Sequence, residues 1–171
     1  MKKFLLMILF SFAFAACSSQ SVNKIITDEP TGKKILVGYI NREVFSDTLF
    51  SAWYHKEYDN YKPDASMLKR ISENPLTFNI KVVMGSWCSD TKRELPRFLR
   101  ILDELRFPAE NLSMIAVDVD KRTEGKELEG LNIEFVPTFI FYRGSQEIGR
   151  IVEMPKTTLE KDFYDIVNRK E

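Results

Sequence analysis

Residues Val82 to Leu105 read V-V-M-G-S-W-C-S-D-T-K-R-E-L-P-R-F-L-R-I-L-D-E-L, and they constrain the fold more than any other stretch. A short apolar run, Ile80 to Met84, stops at Gly85-Ser86, and a helical pattern follows Trp87-Cys88. Leu95, Phe98, Leu99, Leu102 and Leu105 recur on one face at the 3.6 period. Thr91, Lys92, Arg97, Arg100 and Asp103 fall on the other. Cys88 therefore stands where a buried strand turns into an amphipathic helix. Unpaired backbone N–H groups and the positive end of the helix dipole favour a thiolate over a thiol at such a place.

The start of the chain gives an address. Met1-Lys2-Lys3 is followed by an apolar run, Phe4 to Ala16, too short for a membrane span of roughly 20 residues and closed by small residues. That is the pattern of a secretory signal. Phe14-Ala15-Ala16-Cys17-Ser18-Ser19 resembles the lipobox of bacterial lipoproteins, in which the cysteine becomes the first mature residue and carries lipid on its sulfur. The resemblance implies a lipid anchor at Cys17 and a domain on the periplasmic side of a bacterial cell envelope. Because Ser18 is not Asp, the sorting rule of that family favours the outer membrane over the inner. Removing 16 of the 171 residues leaves 155, enough for one domain with a core, and takes the formal net charge from 0 to −2. That charge gives no reason to expect nucleic acid as a partner. With Cys17 lipidated, Cys88 is the one remaining thiol. An intramolecular disulfide and cysteine-cluster metal sites are then excluded, and no organic cofactor or metal is expected.

The chain divides into a signal peptide (1–16), a polar linker (17–31), an N-terminal extension packed on the core (32–75) and an α/β domain (76–171). Lys34 to Phe45 reads as a strand. Ser46 to Tyr61 has helical spacing at Leu49, Phe50, Trp53, Tyr54 and Tyr58, and Pro63-Asp64 opens a second helix with Met67, Leu68 and Ile71 as its stripe. His55, the single histidine, reads as a partly exposed helix residue rather than a general base for Cys88. Leu112 to Val119 reads as a central parallel strand buried on both faces. Asp118 and Asp120 at its end read as turn chemistry, and Thr123 to Asn132 carries a short helical middle. Thr138 to Tyr142 and Glu147 to Val152 form a hairpin across Arg143-Gly144-Ser145. A capping box, Thr157-x-x-Glu160, opens the last helix, which buries Leu159, Phe163, Ile166 and Val167.

Two motifs together resemble thioredoxin-like proteins. Trp87 precedes the cysteine and Pro96 falls eight positions after it; further on, Phe135-Val136-Pro137-Thr138 leads into Phe139-Ile140-Phe141-Tyr142 and Arg143-Gly144. The resemblance spans about Thr77 to Arg169 and implies a mixed central sheet flanked by helices, with the N-terminal strand and helices as an addition. It also implies a cis bond before Pro137 facing Cys88, a Val136 backbone able to pair with an extended substrate, and Trp87 shielding the thiol and contacting the client. Dithiol members carry Cys-x-x-Cys, whereas this motif is Cys88-Ser89-Asp90-Thr91. A mixed disulfide on Cys88 therefore needs an external thiol to release it. Thr91 is placed to donate a hydrogen bond to a thiolate, while Asp90 opposes a second negative charge. Thioredoxins keep a buried acid six positions before the nucleophile, and Val82 stands there.

The expected function is an extracytoplasmic thiol–disulfide oxidoreductase of monothiol type. Cys88 is its nucleophile, assisted by Thr91, and its partners are a protein or small-thiol disulfide and an external reductant. A non-catalytic scaffold that binds through the Trp87 and Pro137 surface is the alternative. A thiol peroxidase is a third reading, since glutathione peroxidases also place Thr three positions after the catalytic residue, but their Gln, Trp and Asn motifs are not recognisable here.

Overall fold

The structure is a computed structural model that describes residues 22–73 and 75–169. The expected signal peptide and the expected lipidation site, Cys17, lie outside the described residues. Six strands form one mixed sheet: β1 (Lys24–Thr27), β2 (Lys34–Ile40), β3 (Asn79–Met84), β4 (Leu112–Ala116), β5 (Thr138–Arg143) and β6 (Gln146–Val152). Their order across the sheet is β1-β2-β4-β3-β5-β6. Only β3 and β4 run parallel; every other neighbouring pair is antiparallel. The flanking helices are α1 (Thr48–Asn60), α2 (Ala65–Ser72), α3 (Ser89–Glu104) and α4 (Leu159–Val167).

Alternation along the strands splits the interior in two, because successive side chains leave opposite faces of a sheet. Ile80, Val82 and Met84 of β3, Met114 and Ala116 of β4, and Phe139 and Phe141 of β5 enter the larger core. The buried faces of all four helices meet them there. Phe98, Phe141 and Phe163 pack ring on ring at its centre, with centroids 5.0–6.1 Å apart. Val83, Ile115 and Ile140 point the other way into a smaller core, closed by Val117, Leu131 and Val136 from the segment between β4 and β5. The extension shares the larger core through Leu36, Ile40, Phe45, Phe50, Tyr54 and Ile71.

Several expectations change on inspection. Residues 24–27, expected within the polar linker, form β1 and pair with β2 from Lys24↔Val37 to Thr27↔Lys34. The strand read over Lys34 to Phe45 ends at Ile40, where a short 3₁₀ turn (Arg42–Ser46) begins. The strand read to Val119 ends at Ala116. Thr123 to Asn132 forms turns rather than a helix, with Glu129 and Leu131 bonding three residues back. In α1, Phe50 and Tyr54 are buried but Leu49 is 51% exposed. The cap of α4 is Thr158, whose hydroxyl accepts from the Lys161 N–H. Glu160 does not reach back to cap; it is 2% exposed and accepts from the Tyr61 hydroxyl at 2.8 Å and the Asp64 N–H at 3.2 Å. The β5–β6 hairpin turns on Gly144-Ser145, and Gly144 has φ +60°, which suits the residue without a Cβ.

Candidate active site

Strand β3 carries the chain through the middle of the sheet and releases it at Gly85. A tight turn follows, closed by the Cys88 N–H donating to the Gly85 carbonyl at 2.9 Å. Cys88 is the N-terminal cap residue of α3, with extended backbone angles, and its carbonyl accepts the first helical bond from Lys92. The N–H groups of Ser89, Asp90 and Thr91 lie ahead of that first bond, so no earlier helical carbonyl exists to accept them.

The sulfur does not accept from those amides. The half-buried Cys88 thiol donates instead to the carbonyl oxygen of Val136 at 3.1 Å. Val136 precedes Pro137 through a cis bond, and both residues are buried. The loop is held from behind, where Thr138 donates its hydroxyl to the Phe135 carbonyl at 2.7 Å and Glu153 donates its N–H to Pro137 at 2.7 Å. Of the Val136 backbone, expected to pair with an extended substrate, the carbonyl is therefore already engaged by the thiol. Its N–H has no intramolecular acceptor among the described residues.

Trp87 folds back over Gly85 and donates its indole N–H to the Val117 carbonyl at 3.0 Å. A Cβ built on Gly85 would lie 2.6 Å from the indole, so the turn needs glycine for this close approach. Ser86 is 5% exposed and its hydroxyl accepts from the Leu36 N–H at 3.0 Å, tying the turn to β2.

Thr91 corrects the sequence reading. It lies on the buried face of α3 with no exposure, and its hydroxyl oxygen accepts from the Gly85 N–H at 3.3 Å. The expected bond from this hydroxyl to the sulfur is not formed; its oxygen instead serves the turn ahead of the helix. Asp90 is drawn toward Arg93 at 2.7 Å, and Arg93 also binds the buried Glu94 at 2.6 Å. The carboxylate expected to oppose a thiolate is thus paired with a cation.

Other candidates fall away from the sulfur. His55 is exposed on α1 and faces Asp59 at 3.5 Å. Asp118 closes a turn by accepting the Arg122 N–H at 2.8 Å, and Asp120 lies 3.5 Å from Arg122. Val82 is fully buried where thioredoxins keep an acid, between Met114 and Phe139 in the sheet. Sequence reasoning missed Ser86 and the full roles of Gly85 and Val117. The Gly-Ser-Trp run does carry a signal for a tight turn beneath an aromatic.

No family model matches this sequence. Over 77 residues the chain is 36% identical to thioredoxin H2-1 of Oryza sativa subsp. japonica, which covers 45% of this chain and 51% of that protein. Over 84 residues it is 30% identical to thioredoxin H9 of Arabidopsis thaliana, covering 49% of this chain and 56% of that one. The chain spans about half the length of the curated relatives it matches. Among solved structures, thioredoxin O2 from Arabidopsis thaliana in its oxidized state shares 21% identity at a TM-score of 0.33, over 51% of this chain and 71% of that one. The similarity to the thioredoxins, together with the mixed sheet and the cysteine facing a cis-proline loop, supports a thioredoxin-like relationship for this chain.

Proposed function

We propose that this protein is a thiol–disulfide oxidoreductase of monothiol type in which Cys88 is the nucleophile. We further propose that it works at the periplasmic face of a bacterial envelope, held there by lipid on Cys17, with the outer membrane favoured. One observation carries the chemical part: the Cys88 sulfur lies at the mouth of α3 and is aimed at the backbone of Val136, beside cis Pro137. Sulfur and substrate-docking edge thus share one carbonyl.

The sequence of events follows from that sharing. A client strand that pairs with Val136 donates its own N–H to the carbonyl and releases the thiol. The freed thiol yields its proton to water, and the thiolate attacks the client disulfide; a Cys88–client S–S bond forms and the second client sulfur leaves as a thiolate. The unpaired amides at the start of α3 stabilise negative charge on the Cys88 sulfur. Thr91 supplies no second sulfur, so an external thiolate attacks the client sulfur of the mixed disulfide; a client–external S–S bond forms and Cys88 leaves as a thiolate, which regains its proton from water. Trp87 gives the client an apolar wall. A test is to incubate the Cys17→Ser chain with a disulfide-bonded protein, quench in acid and weigh the products. One adduct on Cys88, discharged by excess small thiol and absent in Cys88→Ser, is expected; an unmodified Cys88 refutes the reading.

A second reading, a thioredoxin scaffold kept for binding, is favoured by Val82, which leaves an apolar side chain where the proton-accepting acid of thioredoxins stands. Under that reading the same incubation yields a noncovalent complex and no adduct.

A further inference from the structure

Next to the cysteine turn, the N-terminal extension builds something the α/β domain alone does not have. A groove of about 530 Å³ opens between the β1–β2 hairpin, α1 and the start of α3. Lys33 and Lys34 come from the hairpin, Leu49 and Trp53 from α1, and Trp87 and Lys92 from the cysteine turn and the first turns of α3. Its volume falls within the range of ligand sites, about 300–1,000 Å³.

The charge of this groove is one-sided. Among the described residues Lys33, Lys34 and Lys92 form no ion pair; the Lys34 ammonium donates to the Thr27 hydroxyl at 2.7 Å. No carboxylate lines the groove; the exposed Glu29 stands in the adjoining hairpin turn. Asp28 is buried in the hairpin turn, where it accepts from the Thr31 N–H and hydroxyl. Asp90 binds Arg93, and Asp120 faces Arg122. Between the lysines lie apolar side chains open to water, Leu49 at 51% and Val119 at 37% exposure. Leu49 sits in the helical stripe of α1 yet turns away from the core, so packing does not account for it.

We propose that this groove takes an acidic, leucine-like stretch of the client polypeptide a few residues from its disulfide; the proposal rests on Cys88 being the exchange nucleophile. Cys88 is not part of the groove wall, while its neighbour Trp87 is. A compact anion filling the groove therefore leaves the sulfur without a partner. An extended chain, advancing about 3.3 Å per residue, spans both: it pairs with Val136, sets its disulfide on Cys88 and passes Trp87 into the groove. Opposite charges across such a surface raise the rate of productive encounter, and salt removes the gain.

The test uses the full chain with Cys17→Ser and two peptides of one length. Each carries a single cysteine as its thiopyridyl disulfide, with either Glu-Leu-Glu or Lys-Leu-Lys a few residues away. Attack by Cys88 forms the Cys88–peptide disulfide and expels thiopyridine, whose absorbance gives the rate. The acidic peptide should react on the order of 10-fold faster at low salt, with the preference collapsing at high salt. The double variant Lys33→Glu, Lys92→Glu, checked for fold by thermal unfolding, should reverse the order. Equal rates for the two peptides, while neutral dithiodipyridine still modifies Cys88, overturn the groove assignment and leave the nucleophile standing. Failure of dithiodipyridine itself overturns the nucleophile reading. Binding of the chain to anionic phospholipid vesicles, lost in the double variant and without preference between peptides, overturns the proposal in favour of a lipid headgroup.

Discussion

The Cys88 thiol and the Val136 carbonyl are joined by a hydrogen bond of 3.1 Å, so the sulfur proposed as nucleophile and the carbonyl proposed to dock a client occupy each other. Two elements distant in sequence, the start of α3 and the cis-proline loop, meet through this bond. It makes the sulfur a structural donor as well as the proposed reagent.

Replacing Cys88 with Ser separates the two roles. A hydroxyl can still donate to Val136, so stability should change by no more than about 1 kcal/mol. Thiol reactivity in the Cys17→Ser background should vanish. Chemical denaturation alongside thiol titration reads both quantities.

Thr91 offers a sharper distinction. Its hydroxyl accepts from Gly85 rather than serving the sulfur. Thr91→Val should therefore cost about 1–2 kcal/mol by leaving a buried N–H unpaired, while the alkylation rate of Cys88 hardly moves. A large fall in that rate with stability intact would return Thr91 to the sulfur.

Gly85→Ala tests the turn from its other side. A Cβ would meet the Trp87 indole at 2.6 Å, so the turn or the ring must shift. The expected loss is about 1–3 kcal/mol. In a Trp53→Phe background, Trp87 emission should move to longer wavelength as the indole leaves Val117. Unchanged emission would contradict the packing described.

The β3–α3 unit was legible because a short apolar run stops at Gly85 and gives way to a 3.6 repeat, and Leu95, Phe98, Leu99 and Leu102 are buried as that pattern requires. Val136-Pro137 was legible through its resemblance to the cis-proline loop of thioredoxin-like proteins, and the bond is cis. Strand β1 was not, since Lys-Ile-Ile-Thr has only two apolar residues and owes its form to pairing with β2. Thr91 looked solvent-facing because one polar residue in the first turn says nothing about the strand end packed beside it. Glu160 imitated a capping box, yet its burial follows from Tyr61 and Asp64, partners nearly a hundred residues away.

Acid stability should depend on the anchor between the extension and α3. Arg42 grips Asp103 with both guanidinium nitrogens at 2.5 and 2.6 Å, and the Tyr58 hydroxyl donates to the same carboxylate. Burial pushes the Asp103 carboxyl up, but the bonds from Arg42 and Tyr58 outweigh it and hold it below the ordinary value. A depressed carboxyl contributes stability above the unfolded value of about 3.9, and that contribution is lost as pH falls through the folded value. Asp103→Asn should lower stability at neutral pH by about 1 kcal/mol, a figure discounted for partial exposure, and flatten the acid limb of the denaturation curve. An unchanged acid limb would show that the anchor contributes nothing.

The most direct test of the central claim is alkylation of Cys88 by iodoacetamide in the folded Cys17→Ser chain, followed across pH and compared with the unfolded chain. The account predicts that the native protein is labelled at Cys88 under neutral, nondenaturing conditions, on a time course separate from global unfolding. Labelling that appears only at the rate and denaturant concentration of unfolding would contradict it, and would leave the thioredoxin-like scaffold as a binding surface.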